Sequence, residues 1–190
     1  MQRRLFAAAC ALATALLANV AAQTPNDATR ADAARRAFLE ASPVFAHPRC
    51  TNCHTTADAP RQSDARRPHQ FGVKRGPEGR GEAAPQRCTA CHKAENIASS
   101  GIPGAPDWRM PPPGRAGWDG LTPRAVCEAL KDRTRNADLT LDQVVAHMEK
   151  DPLVAWAWSP GGRRTPPPIG LAAFMTLMRA WRDNGGACPE

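Results

Sequence analysis

The chain contains no tyrosine, and only five phenylalanines and five tryptophans in 190 residues. Large aromatic side chains are therefore too scarce to fill a core unaided. Long apolar runs are few after the N-terminus. No stretch alternates apolar and polar residues as a half-buried strand does, which excludes a sheet-based fold. The fold class predicted is mainly α, with short helices and long Pro/Gly-rich loops. Nothing resembles a nucleic-acid-binding module. No molybdopterin or iron–sulfur pattern occurs. What the chain has in plenty is proline, 19 residues, and glycine, 14. Such a composition packs poorly by itself and calls for an added group to complete the core, as small scaffolds use staples or metals.

The first 22 residues have the makeup of an export signal. Arg3 and Arg4 form a positive n-region, residues 5–17 are apolar, and Val20-Ala21-Ala22 places small residues before a cut at Gln23. The competing reading is an uncleaved anchor. The run is barely long enough to span a membrane, which takes about 20 apolar residues, and Thr14 and Asn19 interrupt it. Cys10 lies inside the apolar run and leaves with the signal. Arg3-Arg4 resembles a twin-arginine signal, but general secretion suits a cofactor attached after export. Residues 23–190 then form one mature domain. Its net charge falls from +7 to about +5 once Arg3 and Arg4 are removed. The expected location is the periplasm, with no stable membrane span after cleavage.

Four of the seven cysteines fall in two copies of one pattern. Cys50-Thr51-Asn52-Cys53-His54 and Cys88-Thr89-Ala90-Cys91-His92 both read Cys-x-x-Cys-His, the attachment signature of c-type haem. Two thiols at that spacing add to the two vinyl groups of one porphyrin, and the adjoining histidine binds its iron. Two covalently attached haem c groups are expected, one in segment 43–87 and one in segment 88–190. Their four propionates would bring the holoprotein close to neutral. A zinc tetrathiolate is the alternative for two such cysteine pairs. The histidine after each pair, the oxidising compartment and the lack of a zinc-ribbon pattern weigh against it. A thioredoxin-like role would need a strand-to-helix context that is absent.

Each iron needs a sixth ligand. Three histidines remain: His47, His69 and His147. His69 lies in the loop after the first motif. His147 lies on a predicted helix, residues 141–150, capped by Thr140. These two are the first choices for distal ligands. His47 is too close to Cys50 to bend back to its own iron, but it can reach the neighbouring one. Met110, in a Met-Pro-Pro loop, is the methionine rival. Met148, Met175 and Met178 fall at core spacing, and packing is the better reading. The choice has consequences, since a His/His pair lowers the potential relative to His/Met.

Other helices are predicted over 28–41, stopped by Pro43, and from the second motif toward Ser99. Two more run from Thr122-Pro123 to about Asp132, and from Leu171 through Trp181 to Gly185-Gly186. Cys127 and Cys188 are left over and make a disulfide the simplest reading in an oxidising compartment. Arg61, Arg66, Arg67, Lys74, Arg75 and Arg80 outnumber the acids of their loop. They are read as a solvated face that also pairs with haem propionates, with docking to an acidic partner as the second reading. Trp108, Trp118, Trp156, Trp158 and Trp181 are read as haem-packing or core residues.

With these motifs placed, a resemblance emerges. It rests on His47-Pro48-Arg49-Cys50-x-Asn52-Cys53-His54, Pro68-His69, Arg75-Gly76-Pro77, Cys88-x-x-Cys91-His92 and Pro103-Gly104-Ala105-Pro106-x-Trp108. Asn136, His147-Met148, Asp151-x-Leu153-Val154-x-Trp156-x-Trp158-x-Pro160-Gly161 and Cys188-Pro189 add to it. The chain is similar to small bacterial secreted proteins often labelled isoquinoline 1-oxidoreductase subunits, which look like dihaem c-type proteins associated with molybdenum hydroxylases. The resemblance implies an electron-accepting partner and not the hydroxylase itself. The expected function is therefore electron transfer from a molybdenum hydroxylase or other dehydrogenase to a respiratory acceptor, with no catalytic residue in this chain. A small dihaem peroxidase and a zinc- or disulfide-stapled interaction module are the alternatives. The first needs an open iron, and the second predicts colourless protein.

Overall fold

The computed structural model describes residues 26–82 and 87–190. The expected export signal, 1–22, lies outside them. The described chain is mainly α. It has seven helices: α1 (Asp27–Ala46), α2 (Pro48–Thr51), α3 (Cys88–Cys91), α4 (Pro123–Lys131), α5 (Leu141–Lys150), α6 (Pro152–Trp156) and α7 (Leu171–Asp183). No helix among the described residues is long and apolar enough to cross a membrane.

The core lies between α1 and α7, with α4 and α5 closing it. Helix α1 starts at Asn26, whose side chain accepts the Thr29 N–H, and buries Ala34, Phe38, Ala41 and Phe45 along one face. Helix α7 answers with Phe174, Met178 and Trp181. Phe38 meets Trp181 at 5.1 Å between ring centres, and Phe45 meets Phe174 edge-on at 5.5 Å. Thr122 and Pro123 start α4 as expected. Thr140 and Gln143 close a full capping box on α5. A disulfide joins Cys127 of α4 to Cys188 after α7, across 61 residues. A loop of that length gives about 4 kcal/mol through restriction of the unfolded chain.

Three expectations need correction. Helix α1 does not stop before Pro43 but runs on to Ala46. Proline removes the N–H that would bond the Leu39 carbonyl, and the Ser42 hydroxyl donates to that carbonyl instead, at 2.8 Å. Burial of Val44 and Phe45 favours the continuation. The second motif's helix ends at Cys91 rather than near Ser99. His92 turns out into extended backbone, and the Lys93 ammonium donates to the Thr89 and Ala90 carbonyls that the helix leaves open. Finally, segment 55–87 is not all loop. Two two-residue strands, β1 (Arg61–Gln62) and β2 (Arg67–Pro68), pair antiparallel, too short to leave any alternation in the sequence. A single bridge also joins Ile97 to Ile102.

Candidate functional site

The two Cys-x-x-Cys-His motifs adopt the same local turn. In each, the histidine N–H donates to the carbonyl of the first cysteine at 2.9 Å, His54 to Cys50 and His92 to Cys88. One helical turn puts residues three apart on the same face, so each pair of thiols points one way, with its histidine beside it. The first motif is set by His47-Pro48: the His47 ring accepts the Arg49 N–H through Nδ1, and Pro48 begins α2. This makes His47 a helix cap, and its accepting Nδ1 leaves the proton on Nε2. None of the four motif cysteines is in a disulfide.

Both motif histidines are held in the same way, and by the same loop. His54 Nδ1 lies 2.8 Å from the Ala116 carbonyl, and its ring stacks on Trp118 at 3.8 Å with the planes 8° apart. His92 Nδ1 lies 2.7 Å from the Pro103 carbonyl, and its ring stacks on Trp108 at 4.4 Å, 3° apart. An Nδ1–H given to a carbonyl fixes the tautomer and leaves Nε2 as the free donor atom, as metal-binding histidines require. Trp118 is itself tied by its indole N–H to the Phe45 carbonyl at the end of α1. Gly104 sits so close to Glu95 that a Cβ would come within 2.1 Å of that carbonyl, so only glycine lets the loop reach His92. Gly117, between the two groups that hold His54, packs more loosely, with a Cβ there meeting the Thr55 carbonyl at 3.1 Å.

Beside the first motif lies a cavity of about 600 Å³. Cys50, Cys53 and His54 form part of its wall, and Val44, Phe45, Leu130, Trp158 and Phe174 give it an apolar lining continuous with the core. That volume is in the range of cofactor pockets. Burial pushes the Cys50 thiol up to about 12 and Cys53 to about 11, and holds His54 down at about 4. The thiols stay protonated and the imidazole neutral, which is the form that binds iron. His147, Met110 and Met148 also line this cavity. Met110 and Met148 are buried, whereas the His147 side chain is 41% exposed. His147 Nδ1 lies 3.3 Å from Asp151 Oδ2, so Nε2 is its free nitrogen. Burial lowers its proton affinity as well.

The second motif borders a hollow of about 250 Å³ lined by His92, Thr89, Ala105, Asp107 and Trp108. Cys91 is exposed. His69 reaches this motif, not its own: its ring centre is 6.0 Å from that of His92. Hairpin β1–β2 delivers it, through bonds from Arg61 N–H to the Asn52 carbonyl and from His69 N–H to the Pro60 carbonyl. His69 Nδ1 is tied to the Gln70 carbonyl at 2.8 Å, again leaving Nε2 free. Each motif therefore takes a partner from the other's segment: His147 and Ala116 stand by the first, His69 by the second.

The basic loop divides its labour. Arg75 is buried and donates to the carbonyls of Thr55, Ala57 and Pro111, stitching the loop after the first motif to the Met110 loop. Arg66 pairs with Asp119, and Arg80 with Asp107. Arg67 and Lys74 are exposed. Sequence reasoning passed over Arg115 and Arg49. Arg115 lines the cavity, and its guanidinium has no hydrogen bond or ion pair among the described residues. Arg49 lines it too, with a side chain 2% exposed and its Nε unpartnered. Arg49 is paired through its other nitrogens with Asp64, so Arg115 is the cavity guanidinium left to meet a carboxylate such as a porphyrin's. A tetrathiolate zinc site would gather all four cysteines, yet no group of three or more Cys, His, Asp or Glu among the described residues is placed to hold an ion. No protein-family model matches this chain, and neither does any curated protein or solved structure.

Proposed function

We propose that the chain is a periplasmic dihaem c-type cytochrome that transfers electrons. Cys50 and Cys53 hold one haem and Cys88 and Cys91 the other, each through two thioether bonds. His54 and His92 would each hold one iron, with His147 as the second protein ligand at the first and His69 at the second. The observation that carries this reading is the duplicated support: two motif histidines, each with Nδ1 on a loop carbonyl and a parallel tryptophan behind it. His147 is preferred to Met110 because its Nδ1 faces the Asp151 carboxylate at 3.3 Å, which favours the tautomer with Nε2 free.

When bound, each haem supplies a one-electron iron couple. The chain's own residues do the rest. The apolar wall of the first cavity excludes water, and Arg115 meets a propionate. With two histidines holding each iron, no position would remain for a substrate, which supports a carrier and not an enzyme. Its donor, following the resemblance, is a molybdenum hydroxylase or another dehydrogenase, and its acceptor is a respiratory protein. The test is a pyridine haemochrome spectrum on protein exported from cells with haem c maturation, after acid–acetone extraction. Two haems per chain resistant to extraction support the reading. Extractable or absent haem overturns it.

A further inference from the structure

Three of the four candidate ligand histidines rest Nδ1 on neutral backbone carbonyls: His54 on Ala116, His69 on Gln70 and His92 on Pro103. His147 alone faces a carboxylate, with Nδ1 3.3 Å from Asp151 Oδ2. Asp151 is only 10% exposed and is fixed from several sides. Its Oδ1 accepts the Leu153 N–H at 2.8 Å as the N-cap of α6. Its Oδ2 also takes Arg109 Nη2 at 2.5 Å. Arg109 in turn gives Nη1 to Asp107 at 2.7 Å, and Asp107 lines the hollow beside His92. A run of alternating charges therefore joins the first cavity to the second motif.

We propose that Asp151 is a positioning residue that orients His147 and lowers the reduction potential of the first haem. This rests on the reading of His147 as that haem's sixth ligand. A carboxylate 3.3 Å from Nδ1 favours the tautomer with Nε2 free and raises the ring's basicity through its charge. A more basic ligand stabilises ferric over ferrous iron, and axial ligands and their hydrogen bonds are main controls of haem potential. Arg109 acts in the opposite sense, because its guanidinium draws charge from the same oxygen. The second haem has no such pair, since both its histidines lean on carbonyls.

The test uses the exported holoprotein in two variants, Asp151→Asn and Arg109→Leu. Asparagine caps helices about as well as aspartate, so α6 keeps its start. Haem is counted first, and each haem's midpoint potential is then followed by spectroscopic titration. In D151N one potential rises and the other holds, and the low-spin electron paramagnetic resonance signal of the same haem changes shape as the ring loses its anchor. In R109L that same potential falls. Two haems with unmoved potentials, equal shifts at both haems, or shifts of one sign in the two variants overturn the proposal. Wild-type protein lacking two covalent haems would instead overturn the cytochrome reading beneath it. If D151N does not accumulate, R109L decides alone: a fall at one haem is expected, and no fall contradicts the proposal.

Discussion

The two Cys-x-x-Cys-His motifs share one backbone turn and one kind of histidine support, yet they stand in opposite surroundings. The first opens onto a cavity of about 600 Å³ walled by Val44, Phe45, Leu130 and Phe174, residues that belong to the helical core. The second borders a hollow of about 250 Å³, and Cys91 is exposed. The motif itself decides which group is attached. What surrounds the motif decides what that group does for the fold and how a partner reaches it. In this account the first haem completes the core, and the second is the port where electrons enter or leave.

The largest expected effect separates the sites by stability. Cys50→Ala with Cys53→Ala leaves one haem and a core opened at Phe45 and Phe174. The loss should be on the order of 4 kcal/mol or more, a fall in melting temperature of roughly 10 °C or beyond. Cys88→Ala with Cys91→Ala also leaves one haem but should lower the melt by less than about 5 °C. Haem counts and circular dichroism melts check both, and equal losses would erase the distinction.

Smaller effects should separate the stacked tryptophans. Trp118 is 6% exposed, and its indole N–H satisfies the end of α1. Trp118→Leu should cost about 3 kcal/mol in urea unfolding, as expected for a buried tryptophan. Trp108 is half-buried, and Trp108→Leu should cost about 1 kcal/mol, in line with a mostly local change. A reversed order would show that the second site carries the core.

The mildest contrast is kinetic. His69→Ala and His147→Ala should each open one iron, seen as a high-spin signal, with the fold retained. Added imidazole should enter the exposed second site many-fold faster than the walled first one. Stopped-flow traces of equal rate would mean that the first cavity does not shield its iron.

Much of this was legible in the sequence, for physical reasons that differ by region. Helices α4 and α5 announce themselves through Thr122-Pro123 and the Thr140–Gln143 pair, because caps act within one turn. The motif spacing is local in the same way. The continuation of α1 past Pro43 was hidden because a serine hydroxyl replaces the lost amide, which proline rules do not count. The early end of α3 was hidden because His92 leaves the helix for a carbonyl 11 residues away. The exchange of partners between the segments was hidden too, since nothing periodic links His54 to Ala116 across 62 residues. Asp151 did leave a trace: it follows His147 by four residues, the spacing of facing side chains on one helical turn. The cap role of His47 was legible in its place just before Pro48.

The most direct test of the account is the low-temperature electron paramagnetic resonance spectrum of the oxidised exported protein, read beside its near-infrared absorption. Two low-spin ferric signals of equal weight, with no methionine–iron band, are predicted if, as proposed, His54 and His147 hold one iron and His92 and His69 the other. A methionine–iron band would move the sixth ligand to Met110, and a resting high-spin haem would contradict the closed, six-coordinate carrier.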